Sequence, residues 1–228
     1  MNIIQDFIPA GRRNRPVTAP QSSLYGRKMT AKYITIHNPA SPGWNAKQLH
    51  DYGKSQGTVG SLKSWHFSVD KDNAYQMLPT DESGWHAGDN LGPGNTTSIA
   101  FEICDRGAYA KNWPLFWQDQ EHAAEVCAHL IKTIPSLHPF PACIVQHNKW
   151  SGKNCPYWIR QESGGWQRFL NFVDKYLREP EQPPADPDVF YRVIVGSYND
   201  RANAERAMAE AKAKGFSSAF IVAFRRGE

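Results

Sequence analysis

Apolar and polar residues alternate along "KYITIHN", residues 32–38, with β-branched and aromatic side chains in every other place. That period of two predicts a strand ending at His37. "SWHFSVD" and "AYQML" flank "KDN" and predict a hairpin. "TSIAFEI" (97–103) is apolar enough for a central strand, and "CIVQH" (143–147) is a short strand that again ends on a histidine. Elsewhere the period is helical. Asn45 is placed to cap a helix with Ala46, Leu49 and Tyr52 on one face. A long helix is predicted from Leu115 to Ile134, with Ala123, Val126, Cys127, Leu130, Ile131 and Ile134 as its apolar stripe and Pro135 as its stop. Trp166, Phe169, Leu170, Val173, Tyr176 and Leu177 repeat the pattern in a last helix. Strands interleaved with helices predict an α/β fold, a mixed central sheet flanked by helices, with functional side chains where strands end.

The pattern breaks at "REPEQPPADPD", residues 178–188, whose prolines and acidic neighbours favour an extended linker. The expected division is a body over 1–178, a linker over 179–188 and a tail over 189–228. In the tail, "VFYRVIVGSY", "RANAERAMAEAKAKG" and "SSAFIVAF" predict a small β-α-β unit, with the helix ending at Gly215. A single unit of that size cannot bury its own apolar faces and needs a partner.

Composition changes this picture little. With 8 Trp, 9 Tyr and 11 Phe in 228 residues the chain has ample material for a core. A net charge of +4 and a pI near 8.8 suit an anionic cell wall or a nucleic acid equally, and also a basic surface with no partner. No basic cluster with interleaved aromatics supports nucleic-acid binding. No apolar run approaches the roughly 20 residues of a membrane span, so no membrane insertion is expected. "MNIIQDFIPAGRRNRP" lacks the basic head and long apolar stretch of a secretory signal. The expected product is made in a cytoplasm and reaches an extracellular target by another route. Four cysteines are too few for a disulfide scaffold. Cys104, Cys127 and Cys143 sit among apolar residues and read as packed thiols, whereas Cys155 stands in the polar turn "QHNKWSGKNCP".

Two strand-end histidines and one cysteine in a loop are a chemically suggestive set. His37, His147 and Cys155 offer two imidazoles and a thiolate, three ligands that leave the fourth tetrahedral position of Zn²⁺ open. Spacing alone also permits the plainer reading, in which both histidines are hydrogen-bonded framework residues. Glu102 lies within the apolar strand "SIAFEIC", where an unpaired carboxylate is costly. It is either a salt-bridge partner of Arg106 or a lysine, or a general base. Lys153 is either a surface charge or the stabiliser of a developing oxyanion.

The ordered series "YITIHN", "SWHFSVDKDNAYQMLP", "GWHAGD", "SIAFEIC" and "HNKWSGKNCP" closely resembles the zinc-dependent N-acetylmuramoyl-L-alanine amidases, particularly those of Bacillus-type phage endolysins and prophages. That family shares its fold with phage T7-type lysozyme and the peptidoglycan recognition proteins. The resemblance covers roughly residues 1–178, including the lead-in "IIQDFIPAGRRNRP". It implies hydrolysis of the amide between N-acetylmuramic acid and L-alanine of the peptidoglycan stem peptide, and bacterial wall lysis. It implies Zn²⁺ held by His37, His147 and Cys155, with Glu102 and Lys153 catalytic. Trp65, His66, Trp85 and His86 are the residues expected to line the substrate groove. The T7-type branch has a tyrosine where this chain has Trp65, which shifts the weight of proton transfer to Glu102.

The alternative on the same fold is a peptidoglycan recognition protein that binds without cutting. Such members tend to lose the cysteine that this chain keeps. The tail resembles one SPOR-type repeat, where a complete domain has two, so it is expected either to bind wall glycan or to pair with a second copy in a homodimer.

Overall fold

The alternation in "YITIH" is realised as a strand whose two faces meet different surroundings. Six strands make one sheet: β1 (Ile3–Gln5), β2 (Tyr33–His37), β3 (Phe67–Val69), β4 (Ala74–Gln76), β5 (Ser98–Ile103) and β6 (Ile144–Gln146), in the order β1-β4-β3-β5-β2-β6. Only β3 and β4, the expected hairpin, pair antiparallel; every other pairing is parallel. The computed structural model describes residues 2–16, 28–179, 196–217 and 219–223. The chain divides into two units, Met1–Pro180 and Glu181–Glu228.

Ile34 and Ile36 of β2, Ile99, Phe101 and Ile103 of β5, and Phe67 and Val69 of β3 share one apolar cluster. Phe67 and Phe101 stack with centroids 4.6 Å apart. Each such fully buried ring contributes roughly 1.5–3 kcal/mol. The long helix α4 (Trp113–Thr133) and the last body helix α7 (Gly165–Arg178) supply the other side of that cluster, through Phe116, Ala123, Val126, Cys127, Phe169 and Val173. The alternate positions carry Thr35, His37, Ser98, Glu102 and Ser68, and the Thr35 and Ser98 hydroxyls bond to each other. A second, smaller cluster with Leu49, Trp65, Met77 and Ala100 forms with helix α1. One sheet face is therefore mostly apolar, with Gln5, Gln76 and Gln146 at the last positions of β1, β4 and β6, and the other turns polar toward the strand ends.

The helices are α1 (Ala46–Gln56), α2 (Pro93–Thr96), α3 (Arg106–Tyr109), α4 (Trp113–Thr133), α5 (Asn148–Ser151), α6 (Tyr157–Gln161), α7 (Gly165–Arg178) and, in the second unit, α8 (Arg201–Ala213). Asn45 caps α1 reciprocally with Gln48, each side chain accepting from the other's backbone N–H at 2.9 and 3.0 Å. Ala46 and Leu49 are buried, but Tyr52 is 40% exposed and sets its ring against Trp44. The apolar face of α1 is thus shorter than the pattern implies. α4 begins two residues before the expected Leu115, because Pro114 suits a first helical turn.

In the second unit, Asp200 caps α8 by accepting from Ala202 N at 2.7 Å, and none of the residues of α8 is buried. The first tail strand expected from sequence lies, up to residue 195, outside the described residues, as does most of the linker. Residues 196–198 and 219–223 carry no strand among the described residues.

Candidate active site and metal centre

β2, β5 and β6 run parallel, so their C-terminal ends share one edge, and the register puts His37 beside Glu102. His147 follows β6 directly. The turn that then brings Cys155 back is built from its own polar residues. Asn148 donates from Nδ2 to the carbonyls of Gly152 and Lys153, both at 2.9 Å, and its backbone N–H donates to the Cys155 carbonyl at 2.9 Å. Gly152, at φ +74°, closes α5 in the left-handed region that a side chain would strain. Asn38 ties the turn to the sheet: Nδ2 donates to Ile103 O at 3.1 Å, and Oδ1 accepts from Trp158 N at 3.1 Å. The polar setting of Cys155 in sequence is therefore the scaffold of a loop, while the sulfur itself is 4% exposed.

The structure brings His37, His147 and Cys155 together, with one nitrogen or sulfur from each within 4.8 Å of the others. His37 Nδ1 is 3.8 Å from Cys155 Sγ. His147 Nε2 lies 2.9 Å from the Ala87 carbonyl, which only accepts, so Nε2 carries the proton and Nδ1 a lone pair. That Nδ1 is buried with no hydrogen-bond partner. Burial holds His37 well below the usual imidazole range, reinforced by His86, His147 and Lys153, and burial also lowers His147. Burial pushes the Cys155 thiol up to about 12, with Glu102 adding to the effect. Two neutral imidazoles and a buried thiol are a donor set that fits a soft divalent ion such as Zn²⁺.

Glu102 stands next to this set with Oε2 buried and unpartnered. Burial raises its carboxyl to about 8, against the opposing pull of Lys153. The salt bridge with Arg106 that sequence left open does not form; Arg106 reaches Asp119 at 3.6 Å instead. Lys153 is exposed, two residues before Cys155.

The four residues expected to line a groove differ in burial and in partners. Trp65 is 5% exposed, packed in the second core cluster with Nε1 donating to Ser68 Oγ at 2.8 Å. His66 is wholly buried, Nδ1 accepting from Ala100 N at 3.0 Å and Nε2 held 2.8 Å from the Glu82 carbonyl. Both are framework here, because their polar atoms are spent on the sheet and its loop. His86 stands behind His37, Nδ1 3.1 Å from His37 Nε2. Trp85 is half-buried, its backbone exchanging bonds with Ser64. Asn38 and Asn95, which position the site, were not singled out from sequence. Asn38 directly follows a strand-end histidine, the one signal that points to it.

The family model described as N-acetylmuramoyl-L-alanine amidase matches residues 27–158, and the SPOR domain model matches residues 185–223. The chain is 43% identical over 161 residues to the N-acetylmuramoyl-L-alanine amidase XlyA of Bacillus subtilis (strain 168), covering 68% of this chain and 46% of that protein. To CwlH of the same organism, also an N-acetylmuramoyl-L-alanine amidase, it is 37% identical over 186 residues, covering 80% of this chain and 65% of that one. The chain thus spans less than two thirds of either relative's length. The solved catalytic domain of XlyA superposes with a TM-score of 0.60 at 36% identity, covering 76% of this chain and 99% of that domain.

Proposed function

The chain belongs to the N-acetylmuramoyl-L-alanine amidase family, and from that premise we propose that it hydrolyses the amide joining N-acetylmuramic acid to L-alanine in peptidoglycan, and so lyses bacterial walls. The observation that carries this reading is the convergence of His37 Nδ1, the unpartnered His147 Nδ1 and Cys155 Sγ beside the unpartnered buried carboxylate of Glu102. His37, His147 and Cys155 would hold Zn²⁺. Bound there, the ion would supply Lewis acidity toward a carbonyl and lower the pKa of a water.

The rest falls to the chain's own side chains. Glu102 Oε2 takes the proton from the attacking water and delivers it to the departing nitrogen, so that the C–N bond breaks to a carboxylic acid and an amine. Its buried setting, which lifts the carboxyl toward neutrality, suits a group that must both accept and return a proton. Lys153 places a positive charge by the oxygen on which negative charge develops. The retained cysteine separates this chain from binders that do not cut.

The amidase unit is followed by a SPOR-matching tail, which we assign to wall binding. A body over 1–178, a linker over 179–188 and a tail over 189–228 remain our proposed division. Tyr198, Phe216 and Val222 are 50%, 66% and 55% exposed, apolar surface that would support pairing of two tails in a homodimer. No helix among the described residues is long and apolar enough to cross a membrane. Synthesis in a cytoplasm with action on the wall after release completes the proposal.

Digestion of purified walls tests it. New amino groups should appear without new reducing ends, a chelator should stop their release, and Zn²⁺ should restore it. Wall binding with no released amine would make the chain a recognition protein, and new reducing ends would make it a glycosidase.

A further inference from the structure

The two histidines of the site end neighbouring parallel strands, β2 and β6, and one short segment holds both. His86 Nδ1 lies 3.1 Å from His37 Nε2, and the carbonyl of the next residue, Ala87, lies 2.9 Å from His147 Nε2. The backbone N–H groups of His86 and Ala87 both donate to the Oδ1 of Asn95, each at 2.9 Å. Asn95 is fully buried, and its Nδ2 donates to the Asn90 carbonyl at 3.0 Å. Asp89 anchors the far side, accepting from Gly94 N at 2.7 Å and Asn95 N at 3.2 Å. The packing leaves no slack: a Cβ on Gly94 would lie 2.6 Å from both Ala87 Cβ and Trp150 Cγ.

We infer that His86–Ala87, fixed by Asn95, is a single clamp that sets the tautomer and aim of both His37 and His147. The argument is one of donors and acceptors. A carbonyl accepts only, so Ala87 obliges His147 to carry its proton on Nε2 and to present Nδ1. For His37 to present Nδ1 toward Cys155, its Nε2 must donate, and the acceptor at hydrogen-bond distance is His86 Nδ1. Partners of this kind fix ring orientation and raise ligand basicity. Asn95 governs both because it fixes the two peptide groups from which they project. His86 and Asn95 are positioning residues; neither belongs to the ligand set. The inference rests on reading His37 and His147 as metal ligands, and the test separates the two.

Long-range ¹H–¹⁵N correlation spectra of the full chain, stripped of metal, read each tautomer directly. Wild type should show both His37 and His147 protonated at Nε2. His86→Leu should disturb His37 alone, and Asn95→Ala should disturb both. His86→Asn, which keeps an acceptor oxygen in place, should restore the wild-type pattern. Chelator competition should show zinc affinity about 10- to 100-fold weaker for His86→Leu and Asn95→Ala, and near wild type for His86→Asn. An Nδ1–H tautomer at either histidine of the wild type overturns the clamp. So does an unchanged pattern in folded His86→Leu and Asn95→Ala. If the Leu and Ala variants do not fold, the wild-type spectrum decides. Tautomers that shift as stated while zinc affinity stays constant would uphold the clamp and remove the metal reading.

Discussion

Two clusters of buried polar side chains sit at the same edge of the sheet, and they dispose of their hydrogen bonds in opposite ways. At the end of β3, Asp70 is 3% exposed and accepts from three backbone N–H groups, those of Ala46 at 2.8 Å and of Asp72 and Asn73 at 2.9 Å. Its carbonyl takes His122 Nδ1 at 2.6 Å, and Asp119 accepts from Lys71 N at 2.8 Å with Arg106 alongside at 3.6 Å. Left over there are Asp119 Oδ2 and two nitrogens of the guanidinium beside it, Arg106 Nε and Nη2, groups of opposite charge side by side. At the ends of β2, β5 and β6 the backbone is held by other residues, and the atoms left over include a ring nitrogen each of His147 and His86 and a carboxylate oxygen of Glu102, next to a buried sulfur. Burial is alike in both places. What marks the candidate active site is that its unspent lone pairs converge.

The comparison breaks most visibly at Cys155. Cys155→Ser should keep the fold but lose bound zinc, and with it several kcal/mol of charge stabilisation, roughly 10³-fold in wall-digestion rate. Metal analysis and a kinetic assay on the same preparation check this. Glu102→Gln should retain zinc and slow the reaction by about 10²- to 10⁴-fold. A rate close to wild type would move the proton-transfer role elsewhere.

The β3 cluster should answer in stability rather than rate. Asp70→Ala strands three backbone donors, each costing roughly 1–3 kcal/mol. Chemical denaturation should show a loss of about 3 kcal/mol or more, with zinc content unchanged in the protein that remains folded. A pH-dependent effect is expected at Asp119. Burial raises its carboxyl from 3.8 to about 7, despite Arg106, so over that interval the folded state holds a proton at this group that the unfolded state has lost. The contribution of Asp119 to stability therefore falls as pH rises from about 4 to 7, by at most about 1.4 kcal/mol per pH unit for one proton. Asp119→Asn should flatten that slope in urea titrations across the same interval. An unchanged slope would show that the carboxyl titrates as in the unfolded chain.

Local patterns made much of this legible. The alternation through Tyr33–His37, the Asn45 cap and the stripes of α4 and α7 are each set within a few turns of chain, where neighbouring residues carry the whole signal. β1 escaped, since three residues show no clear period; it exists because β4 offers a parallel edge. The segment "SWHFSVD" alternates from its first residue, yet the strand starts only at Phe67: Trp65 turns inward to close the second core cluster, and His66 spends its ring on Ala100 and Glu82. His37, His147 and Cys155 stood out by residue type and by their place at strand ends. Asn95 did not, and His86 stood out only as a groove residue, because their partners lie 9 and 49 residues away in sequence and only the folded chain shows which donor meets which acceptor.

X-ray absorption at the zinc edge of the full chain bears most directly on the ligand set. The account predicts two nitrogen scatterers near 2.0–2.1 Å and one sulfur near 2.3 Å, with the sulfur shell missing in Cys155→Ser. A wild-type spectrum without sulfur, or no zinc retained after purification in its presence, would contradict it.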